Sequence, residues 1–159
     1  MNILFHILTH LFLCLTIGFL GQQIFSLPLL GSLAAALTGG FFIDIDHLFD
    51  YFLSFGRKFK LGYFLKGYQF LKSDKIYVIL HSCELSLIIV LLAISLNNYL
   101  LFIAAVSHFC HLIADLWINH LPCQFYLLIN RLKNHFNLKP LVSNKHFQKH
   151  QKLKQIINL

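Results

Sequence analysis

Gly39-Gly40-Phe41-Phe42-Ile43-Asp44-Ile45-Asp46-His47-Leu48-Phe49-Asp50 sets three carboxylates and a histidine at the end of a long apolar run. The chain has 159 residues and only six acidic ones, so half of its acids lie in this one stretch. Glu84 and Asp115 also sit inside apolar runs, and only Asp74 lies in basic, loop-like sequence. A soluble protein spreads its carboxylates over its surface. Ionisable groups surrounded by hydrocarbon are costly, and they mark functional sites.

Working outward, 57% of the residues are hydrophobic and 12% are charged. Soluble domains carry about 25% charged residues, so the composition excludes an ordinary water-soluble domain. The net charge of +7 is concentrated in two places. One is the connector holding Arg57, Lys58, Lys60, Lys66, Lys72 and Lys75. The other runs from Arg131 to Lys154. Positive charge of this kind flanks membrane spans on the cytoplasmic side. That reading outweighs nucleic-acid binding, which is not expected. The four cysteines, Cys14, Cys83, Cys110 and Cys123, form no C-x-x-C pair and read as reduced, buried small hydrophobes.

The fold class expected is all-α, a polytopic membrane protein of about four transmembrane helices. The spans are Ile3 to Gly21, a glycine-interrupted stretch from about Leu27, Ile76 to Leu96, and Tyr99 to Ile118. Leu121 to Phe136 has apolar residues at helical spacing and reads as a C-terminal amphipathic helix lying in the interface. Residues 1–136 then form one domain, and 137–159 a basic, flexible cytoplasmic tail. Four crossings put both basic segments and the N-terminus on the cytoplasmic side. The implied location is a cell inner membrane. The implied partners are lipids, with anionic headgroups at the connector and tail, and a homo-oligomer is compatible with this.

In that topology every ionisable group within the spans falls in the cytoplasmic half. At about 100° per residue, His108, His111 and Asp115 fall within about 60° of each other. His81 and Glu84 share a face, as do His6 and His10. Histidine with carboxylate, and no paired thiolates, suits Zn²⁺, Mn²⁺ or Fe²⁺. Asp44, Asp46, His47, His81, His111 and Asp115 are the candidate ligands, with zinc the first choice of cofactor. His108 takes a place beside them, as ligand or support. Glu84 is the candidate base. His6 and His10 fit helix–helix hydrogen bonding as well as ligation.

Asp44-Ile45-Asp46-His47, then His81-Ser82, then Ser107-His108 with His111-x-x-x-Asp115, resembles the LexA-binding, inner-membrane-associated metal-dependent hydrolases of bacteria. These are similar in turn to zinc-dependent phospholipase C proteins. The resemblance covers roughly residues 5 to 120, with Ile43 at the family's proline and Ile76 at its first histidine. It implies a membrane-bound hydrolase of phosphoesters or lipid-type substrates. A different class is a non-catalytic carrier of protons or divalent cations through the same cluster. A third is a regulatory protein that docks a soluble partner on its basic tail.

Overall fold

The computed structural model describes the backbone of residues 3–158 and the side chains of residues 5–158. Among them there is no strand, only an isolated bridge between Lys75 and Asn137. The helices are α1 (Ile3–Phe25), α2 (Leu29–Gly40), α3 (Asp46–Phe55), α4 (Leu61–Leu65) and α5 (Tyr68–Ser73). They continue with α6 (Cys83–Ser95), α7 (Tyr99–Asn119), α8 (Leu128–Lys133) and α9 (Asn144–Ile157). Short 3₁₀ turns cover Phe42–Ile45, Cys123–Tyr126 and Lys139–Leu141.

Two helices, α1 over Phe5–Phe25 and α7, are long and apolar enough to cross a membrane. A third candidate is α2 taken together with Phe42–Phe55 as one interrupted span. Only 22% of the α1 window is buried within the protein. Its exposed residues include Phe12, Phe19, Leu20 and Ile24, while its buried ones include His6 and His10. Leu91 and Ile94 of α6 and Trp117 of α7 are likewise exposed. Apolar outside with histidine, serine and aspartate inside is the arrangement that suits a lipid solvent.

The chain divides into two compact units, Met1–Asp44 with Leu80–Leu121, and Ile45–Ile79 with Pro122–Leu159. These bounds differ from the single 1–136 domain and separate tail expected from sequence. In the first unit α7 packs on α2, α6 and α1. Small residues make the α2–α7 approach close. A Cβ on Gly39 would collide with the backbone of Ala104, and one on Gly40 with Ser107. The Ser107 hydroxyl donates to the Ala36 carbonyl at 2.8 Å, tying the two helices together across the apolar interior. Side chains begin α6 and α7. Ser82 Oγ accepts the Leu85 N–H, and Asn98 Oδ1 accepts the Leu101 N–H.

In the second unit α3 and α9 both pack on α5. The buried Tyr51 ring stacks on Phe55 and meets Phe59 and Phe64 edge-on. Residues 76–79, expected to open the third span, are not helical. Their backbone groups bond elsewhere. Ile76 N–H donates to the Phe136 carbonyl at 3.0 Å, and Tyr77 N–H meets both Asp50 carboxylate oxygens at 3.1 Å. The Val78 carbonyl accepts from Arg131. The third apolar helix is therefore only Cys83–Ser95, about 20 Å long at 1.5 Å per residue.

Two more expectations change. Leu121 to Phe136 is not one amphipathic helix but a 3₁₀ turn followed by the six-residue α8. Arg131, read from sequence as part of a polar face, is fully buried because it caps the Val78 carbonyl. The tail carries α9, started by Ser143 Oγ accepting the His146 N–H. It is clasped by Asp74, which meets His150 at 2.8 Å and Lys154 at 2.5 Å.

Candidate metal centre

No Lys or Arg occurs in residues 1–44 or 80–121, so the first unit has no permanent cation of its own. Its carboxylates Asp44 and Asp115 turn instead to histidines. The approach of α1, α7 and the segment before α6 gathers them. Asp44 follows α2 in a 3₁₀ turn. His81 comes from the irregular segment just before the Ser82 cap. His111 and Asp115 lie one turn apart on α7, and His6 and His10 one turn apart on α1.

His81 Nε2 lies 3.1 Å from Asp44 Oδ1 and 3.3 Å from His111 Nε2. His111 Nε2 lies 3.7 Å from Asp44 Oδ1 and 3.7 Å from Asp115 Oδ2. Asp115 Oδ2 lies 3.8 Å from His81 Nε2. Four donors at about 2.0–2.2 Å around one tetrahedral ion sit roughly 3.3–3.6 Å from one another. The three separations among Asp44, His81 and His111 (3.1, 3.3 and 3.7 Å) lie close to that range. Asp44, His81 and His111 thus form a group able to hold a metal ion, and Asp115 Oδ2 stands beside its two histidines. His81, His111 and Asp115 are buried, while the Asp44 side chain is 34% exposed and opens the group to the outside.

On its other side Asp115 meets α1. Its Oδ1 lies 3.2 Å from His10 Nε2 and 3.7 Å from His6 Nε2. The His10 ring stacks on His111 with centroids 3.8 Å apart. His6, His10 and Asp115 form a further group with metal-holding spacing. The i, i+4 spacing and the shared depth with Asp115 were the sequence signals for this pair.

His108 is placed differently from its neighbours. Its Nε2 lies 2.8 Å from the Leu80 carbonyl, and its Nδ1 lies 2.5 Å from Ser86 Oγ. A carbonyl only accepts, so Nε2 carries the proton and Nδ1 accepts from the serine hydroxyl. Both nitrogens are engaged, so His108 supports the group by fixing the residue before His81. Ser86, which no sequence motif marks, sets that tautomer. Glu84 is half-buried in the first turn of α6, where the helix dipole favours negative charge.

Asp46 and His47 belong to the second unit, at the start of α3. Asp46 is buried there, and the His47 ring meets Phe70 edge-on at 5.5 Å. Asp50, expected near the headgroups, is also buried and receives the Tyr77 N–H. The first-unit cluster therefore comprises four of the six expected ligands together with His6 and His10. No family model matches the chain, and no curated protein or solved structure matches it either.

Proposed function

We propose that this protein is a membrane-bound, metal-dependent hydrolase of phosphoesters or lipid-type substrates, with zinc as its first-choice ion. The observation that carries the reading is the group of Asp44, His81 and His111 donor atoms at metal-holding separations, with Asp115 beside the two histidines, in a unit without Lys or Arg. A buried carboxylate such as Asp115 needs a counter-charge, and a divalent ion would supply it. Bound there, such an ion lowers the pKa of water toward about 7 and polarises a phosphoryl oxygen. The resemblance in the sequence implies the same activity.

The protein's own residues supply the rest. Asp44, the more exposed donor, marks the side from which substrate enters. His108 and Ser86 hold the Leu80–His81 segment in place. Glu84, three residues beyond His81, takes the proton from the attacking water. The new bond joins water oxygen to phosphorus, the ester P–O bond breaks, and the leaving alcohol receives a proton. In the full topology four crossings place both basic segments at the cytoplasmic face of an inner membrane. The Lys-rich connector and α9 attract anionic headgroups toward that face.

A second reading is favoured by one specific feature. His6, His10, Asp115, His81, His111 and Asp44 form an unbroken series of polar contacts no longer than 3.8 Å. Such a series also carries protons or cations. Purified full-length protein in proteoliposomes separates the two. Chelator-sensitive release of phosphorylated headgroup, abolished in Asp115→Asn, supports the hydrolase. Zinc or proton flux without any headgroup release overturns it in favour of the carrier.

A further inference from the structure

We infer that the Asp115 carboxylate bridges two cation positions, and that His6 and His10 complete the second. This rests on the metal-centre reading above and extends it. The two oxygens of Asp115 have separate histidine pairs. Oδ2 faces His81 and His111 at 3.8 and 3.7 Å, whereas Oδ1 faces His10 and His6 at 3.2 and 3.7 Å. The second pair belongs to one helix. His6 and His10 stand one turn apart on α1, with ring centroids 4.3 Å apart, and both are buried. His6 Nε2, His10 Nε2 and Asp115 Oδ1 all lie within 4.8 Å of one another.

The two positions differ in their donors. The first has Asp44, His81 and His111, with Asp115 Oδ2 beside the two histidines. The second has His6, His10 and Asp115, and three protein ligands leave a coordination position for water or substrate. The second position therefore keeps a place for an exchangeable partner. Its ligand class is a divalent cation that takes imidazole and carboxylate, with a phosphoester oxygen as the exchangeable partner. A carboxylate shared in this way sets two ions a few ångströms apart. Two-metal phosphoester hydrolases use a spacing of about 3.5–4 Å to hold the attacking and leaving oxygens. The stack of His10 on His111 keeps one imidazole of each pair in contact with the other and so fixes the relation between the two positions.

Manganese titration of the full chain in detergent, followed by electron paramagnetic resonance and metal analysis, tests this. Wild type should bind about two ions per chain and show the spectrum of a spin-coupled pair. His6→Gln/His10→Gln should retain about one ion and show the six-line spectrum of isolated manganese. Wild type saturating at about one isolated ion, unchanged in the double variant, overturns the second position and leaves the first standing. Wild type binding none overturns both. The wild-type spectrum decides the question even where a variant loses helix content by circular dichroism.

Discussion

His81 Nε2 and His111 Nε2 lie 3.3 Å apart, although the first comes from an irregular segment and the second from the middle of α7. Both also face Asp44 and Asp115. Without an ion the pair makes one N–H···N hydrogen bond, in which one imidazole donates and the other accepts. Around a common ion the same distance is what two ligands adopt. The site is thus described best as a cage of donors whose centre is electrostatically negative. The cage is held by elements that pack for other reasons, such as the glycine-lined contact of α2 with α7.

The hydrogen bonds of His108 make it a positioning residue for His81. His108→Ala should leave the helical fold intact and weaken zinc affinity by about 10–100-fold, the range for outer partners of metal ligands. Ser86→Ala removes only the tautomer lock and should fall at the lower end of that range. Competition with a chromogenic chelator measures both. Unchanged affinity in His108→Ala would show that the Leu80 carbonyl needs no such anchor.

Gly39 and Gly62 provide a paired test of packing. A Cβ on Gly39 meets the Ala104 backbone, whereas one on Gly62 meets nothing within 4 Å. Gly39→Ala must push α2 from α7 and should cost about 1–3 kcal/mol, as overpacking does. Gly62→Ala, within a helix, should be neutral or stabilise by up to about 1 kcal/mol. Thermal unfolding in detergent distinguishes them, and equal effects would argue against the close approach.

Asp74 holds α9 through Lys154, His150 and Gln151, and Lys154 also reaches the Lys72 carbonyl. Partial burial alone would raise the Asp74 pKa. The hydrogen bonds and charges of Lys154 and His150 outweigh it and bring the group below its ordinary 3.8. A carboxylate lowered on folding stabilises the clasp fully above its ordinary pKa. That contribution is lost as pH falls through the lowered value. Hydrogen exchange of residues 144–157 should therefore stay slow from neutrality to about pH 4 and quicken below it. Asp74→Asn should quicken it at all pH values. Slow exchange in that variant would place the docking of α9 in its apolar contacts instead.

The helical, membrane-type character was legible because it rests on composition and local periodicity. So was the shared face of His111 and Asp115, which follows from their i, i+4 spacing on α7, whereas Asp44 sits in a 3₁₀ turn and His81 in an irregular segment, where no helix face follows from spacing. Residues 76–82 were not legible. Ile76-Tyr77-Val78-Ile79-Leu80 reads as the start of an apolar span, but Phe136, Asp50, Arg131 and His108 take up its backbone groups. Those partners are distant in sequence, and no local pattern announces them. Arg131 was misplaced for the same reason, because a charged residue in an amphipathic pattern reads as exposed. The helix in the tail has a local signal in Ser143, but its Lys-rich sequence gained order through Asp74, again a long-range partner.

Equilibrium zinc binding by the full chain at neutral pH, beside Asp44→Asn/His111→Ala, tests the central claim most directly. The account predicts tight binding by wild type. The double variant loses two of the three donors grouped at the first position and should bind that ion weaker by more than the roughly 100-fold of an outer-partner change. Wild type and variant binding zinc with the same weak affinity would contradict it. The histidines and aspartates would then be joined by hydrogen bonds alone.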